Sequence, residues 1–97
     1  MHYYALIYQV VENYVERRAP FRELHLREAK AATERGELLL AGAFANPVDG
    51  ALLIFRADSR DVPESFARKD PYVLNGLVTK WEVRDWTVVI GSAFQNS

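Results

Sequence analysis

Residues 2–11 read HYYALIYQVV, an almost unbroken run of aromatic, aliphatic and β-branched side chains. A run this short and this apolar is expected to be a strand buried on both faces. That constrains everything after it, because each side of the sheet containing such a strand must be covered by something.

The rest of the pattern supplies one cover. Residues 12–19 are polar and end at Pro20, which a helix accommodates in its first turn because the missing N–H has no intrahelical partner there. A helix is therefore expected over residues 20–35. Turning about 100° per residue, it places Phe21, Leu24, His25, Ala29 and Ala32 on the side expected to face the sheet, and Arg22, Glu23, Arg27, Lys30 and Glu34 mainly on the remaining surface. Gly36, without a Cβ, suits a left-handed cap. Two apolar runs follow, residues 37–45 (ELLLAGAFA) and 51–57 (ALLIFRA), around the turn-forming NPVDG, which reads as a hairpin. Asp61–Lys69 reads as a second helix with Val62 and Phe66 on one face, Pro63 in its first turn and Asp58, Ser59 or Asp61 as caps. After a turn at Asp70-Pro71, the last strand is expected over residues 79–90. Its apolar phase slips from Trp81 and Val83 to Trp86, Val88 and Ile90, as a bulge near Arg84-Asp85 would explain. The polar end Gln95-Asn96-Ser97 is expected to fray.

The order β-α-β-β-α-β is the ferredoxin-like arrangement, an α+β class with a four-stranded antiparallel sheet and both helices on one face. At 97 residues the chain holds one core, so residues 1–97 are expected to be a single domain. The other sheet face is left bare, and face-to-face homodimerisation in the manner of a dimeric α/β barrel is the simplest remedy. Such an interface would hide part of an aromatic set comprising Tyr3, Tyr4, Tyr8, Phe44, Phe55, Trp81 and Trp86. The cleft between sheet, helix and partner would be the pocket for a small-molecule ligand, with Phe44, Tyr72 and Trp86 as candidate lining.

Charge and cysteine content exclude several classes. With 12 basic and 13 acidic side chains the formal net charge is -1, which gives no broad electrostatic footprint for nucleic acid or an anionic membrane. The absence of cysteine removes disulfides, zinc–cysteine sites, iron–sulfur ligation and thiol nucleophiles. Two histidines without HExxH-like spacing make no metal motif, so neither metal nor cofactor is expected. No apolar run approaches a spanning length, and the start carries no basic-then-apolar signal, which fits the cytoplasm.

His25, in the apolar stripe of the first helix, is either a core histidine whose nitrogens are satisfied by backbone or water, or a desolvated ring poised for acid–base work. Asp70 either caps a short helix opened by Pro71 or hydrogen-bonds one nitrogen of His25 and fixes its tautomer, and both roles are compatible. His2, near the terminus, is expected to be solvated. Arg17, Arg18 and Arg22 have the bidentate geometry to hold a substrate carboxylate, although arginines before a helix are commonly solvated.

These residues carry a resemblance. An apolar first strand, Arg22-x-x-His25-Leu26, Gly36 closing the helix, Gly42 after the second strand, Asp70-Pro71 and Trp86 in the last strand occur in the order found in the YCII-related (YciI-like) family. The chain resembles that family over nearly its full length. It departs from it at Gly42-Ala43, where the family usually has Gly-Pro, and in a more compact segment before the first helix. The resemblance implies a ferredoxin-like dimer with a His-Asp pair in a cleft, mapping onto His25 and Asp70 as catalytic residues with Arg22 close by for substrate. One branch of the family is similar to dehydrochlorinases acting on chlorinated hydroxyquinols, but fold does not carry activity with it.

Two functions follow from different classes. One is a cofactor-free enzyme in which His25 moves a proton, Asp70 orients it and Arg22 holds an anionic group, with elimination, isomerisation and hydrolysis all compatible. The other is a non-catalytic ligand-binding or regulatory dimer. An RNA-recognition domain of the same strand order ranks last, because residues 51–57 offer a single Arg56 among Leu52, Leu53, Ile54 and Phe55. A cofactor-independent monooxygenase of dimeric α/β barrel type shares the pocket without a motif of its own.

Overall fold

The computed structural model describes residues 1–92, and the fraying expected at Gln95-Asn96-Ser97 lies outside them. Elements run β1 (His2–Val10), α1 (Tyr14–Arg17), a 3-10 turn (Ala19–Phe21), α2 (Arg22–Glu34), β2 (Leu38–Ala43), β3 (Gly50–Ala57), α3 (Asp61–Lys69), α4 (Pro71–Leu74) and β4 (Val78–Trp86). The four strands form one antiparallel sheet in the order β2-β3-β1-β4, the ferredoxin-like topology expected from the element order.

Register decides which side chains meet the helices. Tyr4, Leu6 and Tyr8 of β1 pair with Phe55, Leu53 and Ala51 of β3, and this phase carries the core together with Val83, Phe66, Ala67 and Tyr72. Tyr3, Ala5 and Ile7 have the opposite phase and share the open face with Leu52, Ile54, Arg84 and Trp86. The aromatic set expected at an interface is therefore divided. Tyr4, Tyr8, Phe55 and Trp81 turn to the helices, while Tyr3 and Trp86 face the open side. At the start of β3 the chain passes so close to β1 that a Cβ on Gly50 would lie 2.6 Å from the Tyr8 carbonyl oxygen.

Three expectations are corrected. The register irregularity in β4 lies opposite Gln9 and Val10, which pair with Lys80 and Val78, so Thr79 is the extra residue and not Arg84-Asp85. The apolar phase changes between Val83 and Trp86 because the two lie on opposite faces of a regular strand, Val83 pairing with Leu6 of the core phase and Trp86 with Tyr3 of the open face, and β4 ends at Trp86. The segment read as polar contains α1, which buries Tyr14, and Pro20 falls in the 3-10 turn that follows, so the long helix starts at Arg22. Leu24 does not join the buried stripe; it lies nearly a quarter turn from it and is 48% exposed. Gly36 has the expected left-handed conformation, φ 79°, and ends the helix without a Cβ clash.

Candidate active site

Asp70 sits in extended conformation between α3 and α4, because a residue before proline is pushed out of the helical region. Its Oδ1 accepts the Tyr72 amide at 3.0 Å, capping α4. The same oxygen lies 2.8 Å from Nδ1 of His25, and Oδ2 accepts the Tyr8 hydroxyl at 2.7 Å. The carboxyl is wholly buried, so these three partners replace water completely. The capping role and the histidine contact coexist.

α2 brings His25 to this carboxyl. Its ring stacks on Tyr72, centroids 3.9 Å apart and planes 9° apart, and meets Phe66 edge-on at 6.5 Å. Nδ1 is taken by Asp70, and among the described residues Nε2 has no hydrogen-bond partner. The side chain retains 15% exposure, and the residue borders the groove described below.

Tyrosines surround the pair. Burial first, then the charge and hydrogen bond of Asp70, push the Tyr8 phenol far above the ordinary tyrosine range, so it remains a donor to the carboxylate. Tyr14 meets Tyr72 edge-on at 5.7 Å, and the Arg18 guanidinium lies 5.1 Å from the Tyr14 ring centre. Burial raises both of these phenols, with Arg18 and Arg22 opposing the shift. The Tyr72 hydroxyl is buried and has no hydrogen-bond partner among the described residues, in contrast to the satisfied Tyr8 hydroxyl.

An open groove of about 480 Å³ runs beside this cluster, between α2 and β2. Arg22, Leu26, Ala29, Lys30 and Thr33 line it from one flank of α2, and Leu38, Leu53, Ala43 and Ala51 form its apolar floor. His25, Tyr8, Tyr14 and Tyr72 border it, with Arg18. No aspartate or glutamate is among its described lining residues. Among the described residues there is also no group of three His, Cys, Asp or Glu able to hold a metal, and no helix is long and apolar enough to cross a membrane.

The residues singled out from sequence are thus partly brought together. His25, Asp70, Arg22 and Tyr72 converge, whereas Phe44 and Trp86 lie elsewhere. Phe44 follows the end of β2, beside Gly50 and outside the groove lining. Trp86 pairs with Tyr3 and lies on the open face, against a shallow depression shared with Ile7 and Leu52. Lys30, expected on the solvent surface, lines the groove, as does Arg18. Tyr8 and Tyr14 carried a legible but ambiguous signal. In a strand apolar on both faces the phase of Tyr8 cannot be told, and Tyr14 is a lone aromatic in a polar stretch.

The YCII-related domain model matches residues 1–87. This chain belongs to the YCII-related family. Three solved structures share the fold of this YCII-related chain. A 5-chloro-2-hydroxyhydroquinone dehydrochlorinase from Burkholderia phenoliruptrix, in complex with 2,5-dihydroxybenzoquinone, aligns with a TM-score of 0.73 at 19% identity, covering 88% of this chain and 93% of its own. A protein of Agrobacterium tumefaciens gives 0.63 at 17% identity over 98% of this chain and 100% of its own. A Deinococcus radiodurans protein assigned to the antibiotic biosynthesis monooxygenases gives 0.56 at 14% identity, covering 99% and 100%. At these identities the likeness establishes the fold alone. Among curated proteins there is no significant match.

Proposed function

We propose that this YCII-related chain is a small-molecule acid–base enzyme that needs only its own side chains, with His25 as the proton-transfer group and Asp70 as its orienting carboxylate. One observation carries the reading: a carboxylate with no solvent exposure holds Nδ1 of a histidine whose ring borders an open groove. With Nδ1 engaged, Nε2 is the nitrogen left to take a proton from a bound substrate, and Asp70 stabilises the imidazolium that results. Arg22 holds an anionic group of the substrate, and Tyr72 packs beneath the imidazole. In an elimination the carbon-bound proton passes to Nε2 and the departing anion leaves with its bonding pair. In an isomerisation His25 returns the proton at a neighbouring atom. The fold neighbour that dechlorinates a hydroxyhydroquinone supports starting from hydroxylated, chlorinated and acidic aromatic compounds.

The functional unit we infer is a single domain, working in the cytoplasm as a homodimer joined through the open sheet face. The apolar residues of that face that stay partly exposed with no described helix above them, Ala5, Ile7 and Leu52, support the pairing.

A panel of such compounds, assayed for turnover with the native chain and with His25→Ala, tests the enzyme reading. Turnover lost in the variant is expected; turnover that survives it sinks the reading. The double duty of Asp70 favours one alternative. Because its bond to the Tyr72 amide is structural, a ligand-binding module without chemistry would hold the same carboxylate. Saturable binding with no turnover across the panel would select that module.

A further inference from the structure

The groove's charges are arranged along its length, and this goes one step beyond an anion held at Arg22. α2 and β2 are joined only through residues 35–37 and run antiparallel, so the groove between them has two distinct ends. One end carries Arg18, Arg22 and Ala43, with Tyr14 and Tyr72 beside them. The other carries Lys30, Thr33 and Leu38. Arg22 and Lys30 lie eight positions apart on one helix, roughly 12 Å along its axis before side-chain reach is counted. His25 falls between them, three residues from Arg22. The floor between the two ends is apolar, and no carboxylate among the described lining residues neutralises either. At the Arg22 end the hydroxyl of Tyr72, a residue 1% exposed, has no partner among the described residues and is an unused donor.

The geometry points to a substrate class: an elongated, flat dianion, of the para-dicarboxylate kind, anchored by Arg18, Arg22 and the Tyr72 hydroxyl at one end and by the Lys30 ammonium at the other. This rests on the reading of the groove as the substrate site and adds the second anchor. Two charge-assisted contacts at opposite ends hold the middle of the molecule beside His25, where a single anchor would leave it free to pivot. A monoanion, or a dianion with both charges at one end, uses the Arg22 end alone.

Calorimetric titration with benzoate, phthalate and terephthalate tests this without requiring turnover. All three carry a ring; phthalate and terephthalate carry the same charge, and only terephthalate has its charges at opposite ends. The native chain is expected to bind terephthalate about tenfold more tightly than phthalate, the effect of one additional charge-assisted hydrogen bond. Lys30→Gln should remove that preference and leave benzoate affinity unchanged. Equal affinity for the two dianions, or a preference that survives Lys30→Gln, overturns the second anchor while leaving the first intact. Failure of benzoate and both dianions to bind overturns the groove's anion site itself, and the second anchor with it.

Discussion

The His25 imidazole lies flat on the Tyr72 ring, 3.9 Å between centroids and 9° between planes, so the tyrosine that supports the histidine also keeps its own hydroxyl buried. Support comes from the ring face, and the hydroxyl takes no part in it, since it has no hydrogen-bond partner among the described residues.

Ring and hydroxyl can be separated by Tyr72→Phe. The stack, the edge contact with Tyr14 and the backbone cap on Asp70 are retained, while a buried unpaired polar group is removed. Leaving such a group unpaired costs about 1–3 kcal/mol, so Tyr72→Phe is expected to raise stability by about 1 kcal/mol and to weaken anion binding. Urea denaturation and benzoate titration check the two effects. A variant less stable than the native chain would show that the hydroxyl is satisfied after all.

Asp70→Asn and Asp70→Ala separate charge from hydrogen bonding. An asparagine oxygen can still accept from His25 and the Tyr72 amide, and its amide can donate to the Tyr8 hydroxyl oxygen, reversing that bond. Asn is also a good helix cap, so its cost to stability is expected to stay near 1 kcal/mol. Alanine orphans the Tyr8 hydroxyl and the Tyr72 amide together and is expected to cost about 3 kcal/mol or more. With the negative charge gone, turnover in Asp70→Asn is expected to fall about 10²- to 10⁴-fold, the range of general acid–base contributions. Native turnover in Asp70→Asn would refute the orienting role, and equal destabilisation by both variants would refute the reversed bond.

How much of this was legible in the residues differs by level. The element order and the strand pairing follow from apolar runs and turn residues, which are local signals. His25 and Asp70 stood out because a titratable ring in an apolar stripe and an Asp before Pro are unusual side chains in restricted places. Tyr8 was hidden because β1 is apolar on both faces, so alternation, the usual guide to which side faces inward, carries no information there. Phe44 and Trp86 lie outside the groove lining, and aromatic character could not say so in advance, because it marks burial or contact but not the face. Lys30 reaches the groove because it runs along the flank of α2 beside β2, and that relation exists only once the helix has been placed.

Stability at high pH follows from the tyrosines. Tyr8, Tyr14 and Tyr72 are all raised above the ordinary phenol value, chiefly by burial. The unfolded chain releases these protons near pH 10 while the folded chain retains them, so above about pH 10 the unfolded state binds fewer protons and stability falls as pH rises. Below that point the contribution is fully present. Each such group adds up to about 1.4 kcal/mol per pH unit to the slope. Urea midpoints measured on both sides of pH 10 should show the decline, and Tyr8→Phe should flatten it. An unchanged slope would mean that the Tyr8 phenol ionises as easily in the folded chain as in the unfolded one.

The open sheet face gives the last prediction. Ile7 and Leu52 pair across β1 and β3 on that face, half-buried in the isolated chain, with Trp86 beside them 48% exposed. Among the described residues no helix covers them, and the groove lies on the other side of the sheet, so a partner seated on this face would leave His25 and its groove open. The native chain is expected to sediment as a dimer. Leu52→Glu places a carboxylate from each copy near the two-fold axis and should shift it to monomer, because like charges brought together in an apolar interface are strongly disfavoured. The side chain points away from the core phase of β3, so the monomer should remain folded by circular dichroism. A native chain that sediments as a monomer at every concentration would refute the pairing, as would a Leu52→Glu variant that stays dimeric, since the contact would then lie on another surface.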